Sequence, residues 1–238
     1  MRKLLLVLML ILPGLCRAEL GPDRCVQKAD HKSMSVLLVD LSDKISDIEN
    51  FKKSMTVFQG LIRPGERLVV GISVDKVGDV RMLMDFVNPE QTVWVSKLKI
   101  QASQKTFKEC FNQSLARIEA FDQKFSHSAI LETIGFSAKI FAADHSEKKR
   151  LVVYSDMMQN SSSLSFYAQK SLETAALMST TRKEELVPVL ENVEVLVAGI
   201  GSHESDKKVR ELEKYWKAFF EAAKARISYF GPVLIMSE

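Results

Sequence analysis

The sequence predicts a doubly wound α/β domain: a mostly parallel sheet flanked by helices, with one antiparallel edge strand. Three observations predict it. Runs such as Val36-Leu37-Leu38-Val39 and Leu151-Val152-Val153-Tyr154 are apolar without alternation, as strands are when both faces of a parallel sheet are covered. Between such runs lie segments with apolar residues at three- and four-residue steps, the spacing of amphipathic helices. The two patterns alternate along the chain, which implies right-handed crossovers between parallel strands.

The first strand is expected at residues 35–39. Residues 43–60 follow as a helix with Ile45, Ile48, Phe51, Met55 and Phe58 on one face. Pro64-Gly65 marks a turn before a strand at 67–74, and Gly78 separates it from a strand at 80–87, which would pair with it as a hairpin. A short strand is read at 92–97. Phe107, Phe111, Leu115, Ile118 and Phe121 place a helix over 104–124. A second helix runs over 129–141 with Ser128 as N-cap. Strand 150–155 precedes a hydroxyl-rich loop at 161–165 and a helix at 167–178. Strand 193–200 is closed by Gly199 and Gly201, the helix at 205–225 reads as the longest, and 227–235 as a last edge strand.

The chain begins Met1-Arg2-Lys3, continues as an apolar run from Leu4 to Leu12 and reaches Cys16-Arg17-Ala18. A charged start, a short apolar stretch and a small-x-small exit define a secretory signal peptide. The run is shorter than the roughly 20 residues that span a bilayer. The expected organisation is therefore a signal peptide at 1–18, a polar N-terminal arm at 19–32 and one domain at 33–238. Removing the signal takes away Arg2, Lys3 and Arg17, leaving thirty basic against thirty acidic residues. A neutral chain without a basic stripe argues against nucleic acid as partner, and no later stretch is long enough for stable membrane insertion. The short signal and plain composition read as bacterial, so the expected destination is the periplasm. On that reading Asn112-Gln-Ser114 and Asn160-Ser-Ser162 match glycosylation acceptors by chance.

Cys16 leaves with the signal, so Cys25 and Cys110 are the remaining pair. In an oxidising compartment two such cysteines favour a bridge, here one tying the arm to a central helix. Two unpaired buried thiols are the alternative. The spacing matches no metal or redox motif.

Two strand runs end in carboxylates, at Asp40 followed by Leu41-Ser42, and at Ser155-Asp156. In open α/β sheets ligands sit beyond the carboxyl ends of the strands. Two carboxylates and several hydroxyls delivered to one edge form a hard-oxygen site suited to a divalent cation. The element order and these motifs resemble the von Willebrand factor A domain family. Asp40-Leu-Ser42 stands where the family has Asp-x-Ser-x-Ser, Ser155-Asp156 where it has Thr/Ser-Asp, and Ser126-His127-Ser128 resembles the loop supplying a middle hydroxyl. The resemblance covers most of residues 33–225. It implies a metal site of Asp40, Ser42, Ser128 and Asp156 holding Mg²⁺ or Mn²⁺. The third motif position is Lys44 where the family has serine, and Ser46 and Asp43 stand out of register. The bland reading of the same residues is that Asp40 and Asp156 cap strand-end loops, Ser42 caps a helix and Lys44 pairs with a carboxylate.

His31, His127, His145 and His203 show no ligand spacing, and only His127 lies near the strand-end motifs. There is no Gly-x-Ser-x-Gly elbow, P-loop or dinucleotide fingerprint. Trp94 and Trp216 read as core or interface aromatics, and Met157-Met158 as either site rim or core. The expected function is therefore an exported, non-enzymatic, vWA-like domain that binds another protein, with divalent-cation dependence implied by the resemblance. Two other classes remain open: an accessory component of a bacterial secretion or conjugation apparatus without bound metal, and a divalent-metal-dependent hydrolase acting at Asp40 and Asp156. A solute-binding protein would need a longer, two-domain chain.

Overall fold

The structure, a computed structural model, describes residues 25–42, 45–73, 80–92, 95–121, 125–169, 171–201 and 205–235. The signal peptide, Asp43, Lys44, Trp94 and His203 lie outside the described residues. In chain order the elements are β1 (Val26–Gln27), β2 (Ser33–Asp40), α1 (Ile48–Leu61), β3 (Glu66–Ser73), β4 (Val80–Val87), α2 (Lys97–Glu119), α3 (Ile130–Ala142), β5 (Lys148–Tyr154), α4 (Thr174–Lys183), β6 (Val193–Ala198), α5 (Asp206–Ala222) and β7 (Arg226–Phe230).

The strands form one sheet in the order β1-β4-β3-β2-β5-β6-β7. Strands β3, β2, β5, β6 and β7 run parallel. Strand β4 is antiparallel to β3, and β1 pairs parallel with β4. The expected doubly wound, mostly parallel sheet with one antiparallel pair is thus the observed one. The reversed strand stands one place in from the edge, because the N-terminal arm adds β1 beyond it. From β2 the chain first moves outward to β3 and β4, then returns to place β5 on the other side of β2. The strand order reverses between β2 and β5, which makes that seam the topological switch point.

Strand β2 shows why its sequence is apolar without alternation. Val36 and Leu38 join a core layer with Ile134 of α3, Leu177 of α4 and Trp216 of α5. Leu37 and Val39 join the opposite layer with Phe51 and Phe58 of α1 and Phe111 of α2. All four are essentially inaccessible, and full burial of such side chains stabilises by about 1.5–3 kcal/mol each. In α5, Tyr215, Trp216, Phe219 and Phe220 are wholly buried. Trp216 meets Phe166 at 6.2 Å, Tyr215 at 5.2 Å and Phe219 at 5.2 Å between ring centroids, all edge-on.

Several boundaries differ from the sequence reading. Helix α1 starts at Ile48, where Asp47 accepts a hydrogen bond from the Asn50 amide. Of the strand expected at 92–97, Val93 and Trp94 lie outside the described residues, the Val95 amide is bonded to the Thr92 carbonyl, Ser96 caps α2 and Lys97 opens it. Helix α2 begins at Lys97 and has 23 residues, against 17 for α5. Its first two turns bury only Ile100, so they carry almost no apolar periodicity to read. Tyr167 is exposed in a turn, and α4 begins only at Thr174. The last strand stops at Phe230. The chain then turns through Gly231-Pro232, and the buried Leu234 donates its amide to Ser54 Oγ of α1.

At the end of the sheet opposite the carboxyl ends of its parallel strands, Arg67 of β3 bonds both carboxylate oxygens of Asp85 at 2.8 Å and reaches Asp144 at 2.8 Å. His31 Nε2 lies 2.7 Å from the same Asp144 carboxylate. Cys25 and Cys110 have Cα atoms 5.4 Å apart, inside the range of about 4.4–6.8 Å that a disulfide requires. They form a disulfide-capable pair between the arm and α2.

Candidate functional site

Asp40 is the last residue of β2 and stands at the switch point. Three donors converge on it. The Ser42 amide donates to Oδ1 at 3.0 Å. The Ser128 hydroxyl donates to Oδ2 at 2.8 Å and the Ser155 hydroxyl to the same oxygen at 3.0 Å. The register that pairs Val39 with Tyr154 puts Ser155 opposite Asp40. Ser128 arrives from the loop before α3.

That loop is fixed by its neighbour. Ser128 and Asn160 exchange both backbone hydrogen bonds at 2.8 Å, and Asn160 Nδ2 donates to the Ser126 carbonyl. Gln159, wholly buried, accepts from the Leu131 amide through Oε1 at 2.9 Å. Its Nε2 donates to Glu132 and to Ser161 Oγ. One side chain therefore ties the loop after β5 to the first turn of α3. On the third side, the Ser42 carbonyl accepts from the Phe125 amide at 2.8 Å.

The backbone after Ser155 is unusual. Met157 has φ +63°, a left-handed conformation uncommon for a residue with a long side chain. Its amide donates to Ser155 Oγ at 2.9 Å, and its carbonyl accepts from Trp216 Nε1 at 3.0 Å. The core thus holds a strained residue beside the site, at a strain of about 1–3 kcal/mol. Gly199 supports the same spot: at φ +97°, a Cβ there would lie 3.0 Å from the Ser155 carbonyl oxygen. Only glycine lets β6 approach so closely.

Of the four residues expected to hold a metal, the structure brings Asp40, Ser42 and Ser128 together. Asp156 follows Ser155 in the chain, is exposed, and accepts the Met158 amide through Oδ1 at 2.9 Å. Two expected capping roles do not occur. Ser128 leaves α3 with Ala129 at its N-cap and no side-chain cap bond, because its hydroxyl is turned to Asp40. Ser42 lies well before α1, which Asp47 caps. Met157 and Met158 are core residues, not rim. His127 is exposed, with Nδ1 2.8 Å from Ser126 Oγ, and Lys44 lies outside the described residues. The sequence reading assigned no role to Ser155 or Gln159. The position of Ser155 at the strand end was a usable signal, whereas nothing in the sequence marks Gln159.

Among the described residues no group of three or more His, Cys, Asp or Glu is arranged to hold a metal. The strand-end cluster is of another kind, a carboxylate with hydroxyls. A serine hydroxyl that donates its proton to a carboxylate keeps oxygen lone pairs, so Ser128 and Ser155 retain donor capacity of the hard-oxygen type that Mg²⁺ takes. The donor chemistry fits such a cation. No protein-family model matches the chain, and no curated protein matches it.

Proposed function

We propose that this chain is an exported, vWA-like protein-binding domain that engages another protein at the carboxyl edge of its sheet, around Asp40. The observation that carries the reading is the convergence of Ser128 and Ser155, from two separate loops, on one carboxylate oxygen at the switch point. Asp40 holds the two hydroxyls in fixed orientation, and the Ser42 amide holds the carboxylate. Asp156, exposed on the adjoining loop, offers negative charge at the rim. Asp40, Ser42, Ser128 and Asp156 would hold Mg²⁺ or Mn²⁺, with Ser155 beside them. The cation when bound supplies positive charge to which a partner carboxylate can bond. Export through residues 1–18 to a bacterial periplasm belongs to the same proposal. No helix among the described residues is long and apolar enough to cross a membrane.

One observation favours a second reading, partner binding at this edge without metal, as in an accessory component of a secretion or conjugation apparatus. Both oxygens of Asp40 are already satisfied by protein donors, so the cluster is self-sufficient as a clamp between β2, β5 and α3. Calorimetric titration of Mg²⁺ and Mn²⁺ separates the two. Saturable one-site binding that disappears in Asp40→Ala is the expected result. Absence of binding, or binding that survives the substitution, removes the cation and leaves the metal-free reading.

A further inference from the structure

Among the described residues, the N-terminal arm meets the sheet through very few. Val26 and Gln27 pair with Asp85 and Phe86 of β4, and among the described residues β1 is the only strand on the outer side of β4. A ladder this short is weak by itself. Ordering a backbone residue costs about 1–2 kcal/mol, while a net hydrogen bond returns about 0.5–1.5 kcal/mol. Val26 contributes little burial, being 47% exposed. Next to it Cys25 is 9% exposed and Cys110, on the inner face of α2, 4%. The sulfur link is therefore the strongest attachment of β1 to the body of the molecule. His31, the next contact of the arm, reaches Asp144 beside Arg67, and so anchors the arm below β1 without holding β1 itself.

We propose that the Cys25–Cys110 pair is a redox clasp on the sheet edge. Closed, it keeps β1 on the outer side of β4 at Asp85 and Phe86. Opened by a dithiol reductant, it releases β1 and bares the β4 edge while the remaining strands stay folded. In the opening step a thiolate of the dithiol attacks one sulfur of the bridge, and the other leaves as a thiolate. The second thiol of the reductant then displaces the first cysteine and closes a disulfide of its own. Two electrons and two protons pass to Cys25 and Cys110. Because both sulfurs are buried, attack follows local fraying of β1, the kind of low-energy opening expected at a chain end with few paired residues. The rest persists because β4 remains bonded to β3 along most of its length, and β2, β5 and β6 keep both core layers. An open strand edge is a template for pairing with other chains, so the clasp would control whether the Asp85–Phe86 stretch of that edge is displayed.

The test is native-state hydrogen exchange on the full chain carrying Cys16→Ser, oxidised and after dithiothreitol. The expected result is exchange faster by about tenfold or more in peptides covering Val80–Val87, with peptides covering Ser33–Asp40 and Lys148–Tyr154 unchanged. Equal protection of β4 in both states overturns the clasp. So does acceleration across all strands, which would make the bridge a general staple. Cys110→Ala should reproduce the reduced pattern. If that variant does not fold, reduction of the folded parent protein still decides.

Discussion

Asp144 sits on the loop after α3, 7% exposed, with its charge held by neighbours rather than by water. Burial by itself would raise its pKa, but Ser146, His31 and Arg67 outweigh this and hold the carboxyl well below the usual range. A carboxyl depressed in the folded state contributes stability that is fully present above its unfolded value, near 3.9, and is lost as pH falls below it. Acid unfolding between about pH 4 and lower should therefore flatten in Asp144→Asn, whose stability at neutral pH should be lower by about 2–3 kcal/mol. Urea titrations across pH would show both effects. Gln159→Ala should lower the melting temperature through about 1–3 kcal/mol, since it strands the buried Leu131 amide. It should also weaken whatever binds at Asp40 by loosening the Ser128 loop. Asp40, Ser128 and Asp156 were legible in the sequence because they close apolar runs or open a helix. The contacts that join Ser128 and Ser155 to Asp40 and leave Asp156 exposed were not: the turn after Ser155 has a left-handed Met157 held by Trp216, 59 positions away, and no local pattern encodes that.

Helix α3 carries a glycine at its centre, and a Cβ at Gly135 would meet nothing within 4 Å. Gly135→Ala should therefore stabilise the protein by up to about 1 kcal/mol, a rise in melting temperature that a packing role for the glycine would reverse. Helix α1 offers the opposite case. Asp47→Ala removes the acceptor for the Asn50 amide and should cost about 1 kcal/mol, measured by denaturant unfolding. Elements buried on one face or two announced themselves in the sequence, and β2, β5 and β6 were placed within a residue or two. Elements whose first turns lie in solvent did not. The start of α2 has Lys97, Lys99 and Gln101 around a single buried Ile100, and the turn at Tyr167 reads as helix because Leu172, Leu177 and Met178 follow it in a segment without Gly or Pro.

For the whole molecule, the alternation of strand and helix was sufficient to predict a doubly wound sheet, because crossover handedness leaves few ways to connect such elements. The position of β1 beyond β4 was not predictable from a two-residue polar-flanked segment. It follows from the placement of Cys25 against α2, which only the assembled fold displays. Alkylation of the folded protein followed by mass analysis should leave Cys25 and Cys110 unmodified until a reductant is added. The bridge, which spans 85 residues, then accounts for the two thiols gained on reduction.

The same bridge divides the sheet mechanically. Closed, it encloses β1, β2, α1, β3, β4 and the first part of α2 in a covalent ring, while β5, β6 and β7 lie on the open chain beyond α2. A pull on the two chain ends would bypass the ring and load the remaining strands, with the seam between β2 and β5 as the boundary that must part. Asp40 stands on the shielded side of that boundary and Ser155 on the loaded side. A ligand gripping both would act as a rivet across it, so force on the chain and occupancy of the strand-end site should oppose each other.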